Sequence, residues 1–226
     1  MAPEAGAAKD RLAAAVLISG NGSNLQAIID HVRAAHLPCD IRLVVSNEPA
    51  AFGLERARRA GIPAEVLDHR RFPGREAFDE SLAAILDRHG VEVVFLAGFM
   101  RILTRPFVER YEGRMLNIHP SLLPDLKGLD THHRAIEEGR EFHGASVHFV
   151  TPELDDGPVV IRGRLEVRPD DTPESLEQRV HRLEHRIYPL AVEWMATGRL
   201  RLDGRTVVLD DAALSPEGYE VLEEDS

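Results

Sequence analysis

The chain has 226 residues, 43% of them hydrophobic and 29% charged, with 27 Lys and Arg against 38 Asp and Glu for a formal net charge of -11. That length buries a sizeable core in one large domain or two small ones, and the acidic balance argues against a general nucleic-acid binder while leaving room for a local phosphate pocket. One cysteine, Cys39, excludes an intrachain disulfide framework and suits a reducing, cytoplasmic compartment. No apolar run reaches the roughly 20 residues that span a bilayer, and residues 1–11 read as a frayed leader rather than a signal peptide.

Residues 13–19 form an apolar run suited to a central parallel strand. The small-residue turn GNGSN follows, and Leu25, Ile28, Ile29 and Val32 then recur at helical spacing. A helix start of this kind presents unpaired N–H groups to an anion, with Gly22, Ser23 and Asn24 as candidate phosphate donors; a tight turn with no ligand is the plainer reading. Ser23 either caps the helix or sits in its first turn behind Gly22. The third glycine of a dinucleotide fingerprint would fall at Leu25, and the Walker lysine is absent.

The next strand ends at Asn47. Helices are expected over 52–60 and 75–89, with a third strand over 64–69 and a fourth, nearly all apolar, over 91–96. The alternation predicts a mostly parallel twisted sheet with helices on both faces, and ligands collecting at the strand ends Gly20, Asn47, Gly98 and His119. Phe99, Met100, Ile102 and Leu103 make an apolar stretch after the fourth strand, a wall for a flat heteroaromatic ligand or else part of the core.

A strand ending in Asn117-Ile118-His119 puts the amide and the imidazole on one side. Two polar groups at the end of an apolar strand point to chemistry, because either costs free energy if buried without a partner. His132 and His133 open a short helix over 131–139 and lack a ligand set at metal spacing, so no metal is expected. Ser146 and His148 share a face of the following strand, Asp155 and Asp156 sit in a turn, and Gly163 is read as a kink or bulge in the strand after it. Thr172 and Pro173 start a long helix in which Pro189 reads as a kink or break. A hairpin turned at Asp203-Gly204 follows, then a loose tail over 216–226.

An Asn, a His and a carboxylate suit acyl transfer without a protein nucleophile. The segments ISGNGSNLQAI (18–28), VVSN (44–47), LAGFMRIL (96–103), LNIHPSLLP (116–124), HGASVHFV (143–150) and ELDDGPV (153–159) together resemble the glycinamide ribonucleotide formyltransferases, folate-dependent enzymes of purine synthesis with a Rossmann-like formyltransferase fold. The resemblance implies formyl transfer from 10-formyltetrahydrofolate to 5'-phosphoribosylglycinamide, with no metal, no nucleic acid or membrane partner, and a monomer or weak homodimer. It implies Asn117, His119 and Asp155 as the catalytic trio, Asp155 being chosen over Asp156. It assigns Gly22, Ser23, Asn24 and Glu184 to the ribonucleotide, and Phe99, Met100, Arg101, Ile102 and Leu103, with Asn117 and Asp155, to the folate, Arg101 meeting its glutamate tail. His132, Ser146 and His148 are supporting candidates. Lys127, Asp130 and His133 depart from the pattern of many bacterial relatives and bear on the shape of the loop over the site. Methionyl-tRNA formyltransferases resemble the chain around the same trio but carry a further C-terminal domain, for which no room is expected here; formyltetrahydrofolate hydrolases usually carry an extra N-terminal domain, and a shortened hydrolase, which would keep similar residues, is the alternative. A silent folate- or nucleotide-binding protein would lose a member of the trio, and none is lost.

Overall fold

The computed structural model describes residues 11–224. All of the expected leader except Arg11 lies outside them, and Arg11 donates from Nη2 to the Cys39 carbonyl at 2.6 Å. In chain order the elements are β1 (Leu12–Ile18), α1 (Ser23–Ala34), β2 (Cys39–Ser46), α2 (Gly53–Arg59), β3 (Ala64–Val66), a 3-10 turn (His69–Arg71), α3 (Arg75–Arg88), β4 (Val93–Leu96), α4 (Arg105–Arg110), β5 (Met115–His119), α5 (Thr131–Glu137), β6 (Phe142–Phe149), β7 (Val159–Glu166), α6 (Pro173–Ala196), β8 (Leu200–Asp203), β9 (Thr206–Leu209), β10 (Ala212–Ala213) and β11 (Tyr219–Leu222).

Eight strands form one sheet in the order β11-β7-β6-β5-β4-β1-β2-β3, and β10-β9-β8 form a small second one. From β3 to β5 all pairing is parallel; β6 and β7 return antiparallel, and β11 lies parallel to β7. β1 is wholly apolar because helices cover both sheet faces: Val16 and Ile18 enter the core beneath α1 and α6, while Ala15 and Leu17 enter the core beneath α3 and α4. The strand order reverses between β1 and β4, so the carboxyl ends of β1, β2, β4 and β5 open on one edge at the switch point.

Four local expectations are corrected. Pro189 does not break α6, which runs unbroken for 24 residues from a Thr172–Ser175 capping box. Proline removes one helical hydrogen bond, and the neighbouring Tyr188 compensates by tying the helix to the sheet, its buried hydroxyl donating to Leu96 O (2.9 Å) and Leu116 O (3.1 Å). Gly163 does not bulge. A Cβ there would stand 3.0 Å from Leu183 Cβ, so the residue lets α6 close on β7, and the register slip falls instead between Val147 and His148. The hairpin turns at Gly204-Arg205, since Asp203 pairs with Thr206. The expected loose tail contains edge strand β11, held by an edge-on contact of Tyr219 with Trp194 (centroids 5.5 Å apart) and by Arg179, which bridges Glu223 and Asp171.

Candidate active site

Asn117 and His119 leave β5 on the same side because side chains alternate along a strand. Opposite them on β6 stand their register partners, His148 and Ser146. Ser146 staples the loop after β5, donating to Ser121 O at 2.7 Å and accepting from Leu123 N at 3.1 Å. His148 donates from Nδ1 to Phe149 O at 2.9 Å, so its Nε2 is free to accept the Asn117 amide, 3.1 Å away. Desolvation holds the His148 pKa below the ordinary histidine value, which keeps that acceptor lone pair available at neutral pH.

The β6–β7 return brings in the carboxylate. Asp155 Oδ2 lies 3.5 Å from His119 Nδ1, and Oδ1 lies 3.9 Å from His148 Nε2. The other nitrogen of His119 donates to Leu126 O at 3.0 Å, and Gly128 N donates to Asp155 Oδ2 at 3.0 Å. Both His119 and Asp155 are buried. Asn117, His119 and Asp155 are therefore brought together, while Leu126 O and Gly128 N are additions that no side-chain pattern could disclose. Asp156 faces away, toward Lys127 and Arg205.

At the end of β1, two strands across the sheet from β5, Gly22 stands at φ +74° as the N-cap of α1, with Ser23 in the first turn. A Cβ on Gly22 would come within 2.7 Å of Gly53 Cα, so the turn and the start of α2 pack backbone to backbone. The first helical bond is Gln26 N to Gly22 O, at 3.0 Å, which leaves the preceding N–H groups for a ligand. Asn24 Nδ2 donates to Glu184 Oε2 of α6 at 2.8 Å. Burial raises the Glu184 pKa from the ordinary carboxylate value. Arg56, missed from sequence, braces the turn from Nε to Asn21 O and from Nη2 to Asn21 Oδ1, both 2.9 Å.

The 99–103 segment divides. Phe99 and Leu103 are buried in the α3–α4 core, as the packing alternative required, whereas Met100 and Ile102 are exposed. Ser19 Oγ accepts from Met100 N at 2.7 Å and donates to Asn47 Oδ1 at 2.5 Å, joining the ends of β1, β2 and β4. The Arg101 guanidinium lies over the Phe78 ring, 4.4 Å from its centroid. Arg105 Nη2 reaches Glu153 at 2.8 Å, so the segments after β4 and after β6 border the same opening. His132 faces His143, 3.1 Å from Nδ1 to Nε2, rather than the trio. Burial pushes the Cys39 thiol up to about 12, which leaves it no thiolate character at neutral pH. Among the described residues no group of three or more His, Cys, Asp or Glu could hold a metal ion.

An anion-ready helix start after β1, a polar trio at the end of β5 and exposed apolar side chains after β4, the strand between them, fit an α/β group-transfer enzyme. Residues 12–192 match the family model for formyl transferases. The chain is 52% identical over 204 residues to phosphoribosylglycinamide formyltransferase of Escherichia coli (strain K12), covering 90% of this chain and 96% of that one. It is 44% identical over 205 residues to the Haemophilus influenzae protein of the same name, covering 91% and 97% respectively. The solved phosphoribosylglycinamide formyltransferase of Coxiella burnetii superposes with a TM-score of 0.89 at 48% identity, over 92% of this chain and 98% of that one. The chain belongs to the phosphoribosylglycinamide formyltransferase family.

Proposed function

We infer that the chain transfers the formyl group of 10-formyltetrahydrofolate to the amine of 5'-phosphoribosylglycinamide, giving the N-formyl ribonucleotide and tetrahydrofolate in de novo purine synthesis. The observation that carries the site assignment is the convergence of Asn117, His119 and Asp155 at the end of β5, on the same open edge of the sheet as the anion-ready start of α1.

The ribonucleotide phosphate sits on the N–H groups of Gly22, Ser23 and Asn24, with Glu184 toward the ribose. The folate ring lies along the backbone of Arg101, Ile102 and Leu103. The ribonucleotide amine then attacks the formyl carbon, and the carbonyl oxygen becomes an alkoxide. One amide hydrogen of Asn117 is used on His148, and the second is free for that oxygen. Because His119 Nε2 is engaged by Leu126 O, the nitrogen left for the reacting group is Nδ1, beside Asp155. Asp155 takes the proton that the attacking nitrogen sheds, directly or through water. As the intermediate collapses, the C–N10 bond breaks and Asp155 returns that proton to N10, directly or through water, so no net proton is consumed. Both substrates held in one cleft make the attack effectively intramolecular.

The test is formyl transfer followed by absorbance and product mass, with and without the ribonucleotide. Turnover that needs the amine and adds one formyl group to it supports the reading. Tetrahydrofolate released equally fast without the amine would make the enzyme a hydrolase.

A further inference from the structure

Residues 126–128 touch the site three times in succession. Leu126 O engages His119, Lys127 Nζ binds Asp156 Oδ1, and Gly128 N donates to Asp155 Oδ2. Asp156 is gripped from its other side by Arg205 in the β8–β9 turn, whose Nη2 lies 3.0 Å from Asp156 O and 3.5 Å from Oδ2. We propose that Lys127, Asp156 and Arg205 form a charge clasp whose function is to position Asp155 for formyl transfer. The proposal rests on the reading of Asp155 as the carboxylate that handles the proton.

The turn needs positioning. Asp155 adopts φ +49°, a left-handed conformation that costs a residue with a Cβ some free energy, though Asp less than most. Two residues on, the chain is pinned: a Cβ on Gly157 would stand 1.6 Å from Phe149 O. Between these points Asp156 borders a pocket. A cavity of about 380 Å³ backs the turn, lined by Leu123, Pro124, Pro158, Val207 and Pro216. What spans that hollow is charge: Lys127 from the loop after β5 and Arg205 from the hairpin, both meeting on Asp156. The Lys127 ammonium holds the Asp156 carboxyl below the ordinary carboxylate range, so that carboxylate stays charged at neutral pH.

All three side chains are substantially exposed, and such pairs add little to global stability. Their effect therefore belongs in the rate. A small displacement of Asp155 from His119 costs turnover while leaving the phosphate turn and the folate wall intact. Arg205 and Asp156 are positioning residues, and the hairpin that carries Arg205 becomes part of the catalytic apparatus although it contributes no group to the cleft.

The experiment compares steady-state kinetics and melting of Asp156→Asn, Arg205→Gln, Arg205→Lys, Asp155→Asn and the Asp155→Asn/Asp156→Asn double variant. Expected are losses of about 10-fold in kcat for Asp156→Asn and Arg205→Gln, with both KM values within about twofold and Tm within about 2 °C of the parent. Arg205→Lys keeps most of the activity. Asp156→Asn adds nothing further in the Asp155→Asn background, because a positioning residue has nothing left to position. Salt should depress kcat of the parent more than that of Asp156→Asn, since screening weakens the clasp. Parent-like kcat in Asp156→Asn and Arg205→Gln beside a crippled Asp155→Asn overturns the clasp alone, and so do losses that multiply in the double variant. Parent-like kcat in Asp155→Asn overturns the reading beneath it, and the clasp falls with that reading.

Discussion

Asn117 and His148 are register partners on β5 and β6, and the amide nitrogen of the one lies 3.1 Å from Nε2 of the other. His148 Nδ1 is committed to Phe149 O, which fixes the tautomer and with it the orientation of the Asn117 amide. One N–H of Asn117 is thereby aimed into the cleft before any substrate arrives.

Removing that donor has a defined kinetic signature. Asn117→Ala is expected to lower kcat by about 10²–10³-fold while the ribonucleotide dissociation constant changes only a few-fold, since the contact strengthens as charge develops on the oxygen. Steady-state kinetics with an equilibrium binding measurement separate the two, and parent-like kcat would remove the oxyanion role.

His148 acts on the same amide from behind. His148→Phe should lose about 10-fold in kcat through a mis-set amide, whereas His148→Gln, whose side-chain oxygen can accept the same N–H, should keep more of it. Equal losses in the two variants would mean that the ring fills space and does not orient Asn117.

The start of α1 separates ribonucleotide binding from chemistry. Gly22→Ala combines a φ of +74° with a 2.7 Å approach to Gly53 Cα, so the turn must move. The expected result is a KM for the ribonucleotide raised about 10-fold or more, with the KM for the folate unchanged. A rise in the folate KM alone would place the phosphate elsewhere.

How much of this was legible beforehand depended on the range of the interaction. Asn117 and His119 could be read locally, because strand alternation alone puts them on one side of β5 and an apolar run leads into them. The open edge followed from the alternation of strands and helices. Asp155 was different: its place beside His119 depends on the antiparallel β6–β7 return, so only the resemblance selected it from its neighbour. Gly163 was misread because a glycine in a strand suggests a bulge, while its actual cause is Leu183 on a helix that comes later in the chain. The tail looked loose since β11 is four residues long and gains its hold from Trp194 and Arg179. Phe99 and Leu103 carried no sign of which apolar residues in their segment turn inward. Leu126 O and Gly128 N are backbone groups in an irregular loop, and no residue-type signal marks them.

Buried histidines contribute to the acid side of the stability profile, above the range in which ion-paired carboxylates such as Asp171 and Glu223 protonate. Burial pushes His143 down to about 3, and His132 and His148 are also lowered, with desolvation the leading cause in each. An unfolded histidine titrates near 6.5, so below about that pH the unfolded chain binds protons that the folded one refuses. The stability contributed by a neutral buried ring is therefore complete above about 6.5 and falls as the pH drops toward the folded value, by up to about 1.4 kcal/mol per pH unit for each ring. Glu184 has the opposite sign: burial raises its pKa, so its contribution is lost as pH rises and offsets part of the acid loss. His143→Gln removes the titration while leaving a side chain able to meet His132, which lies 3.1 Å from the ring it replaces. The fall in Tm between pH 7 and pH 5 should be smaller in this variant than in the parent, even if its Tm at pH 7 is lower. Glu184→Gln should steepen the same fall. Parallel Tm profiles for His143→Gln and the parent would show that the acid sensitivity originates outside the His132–His143 pair.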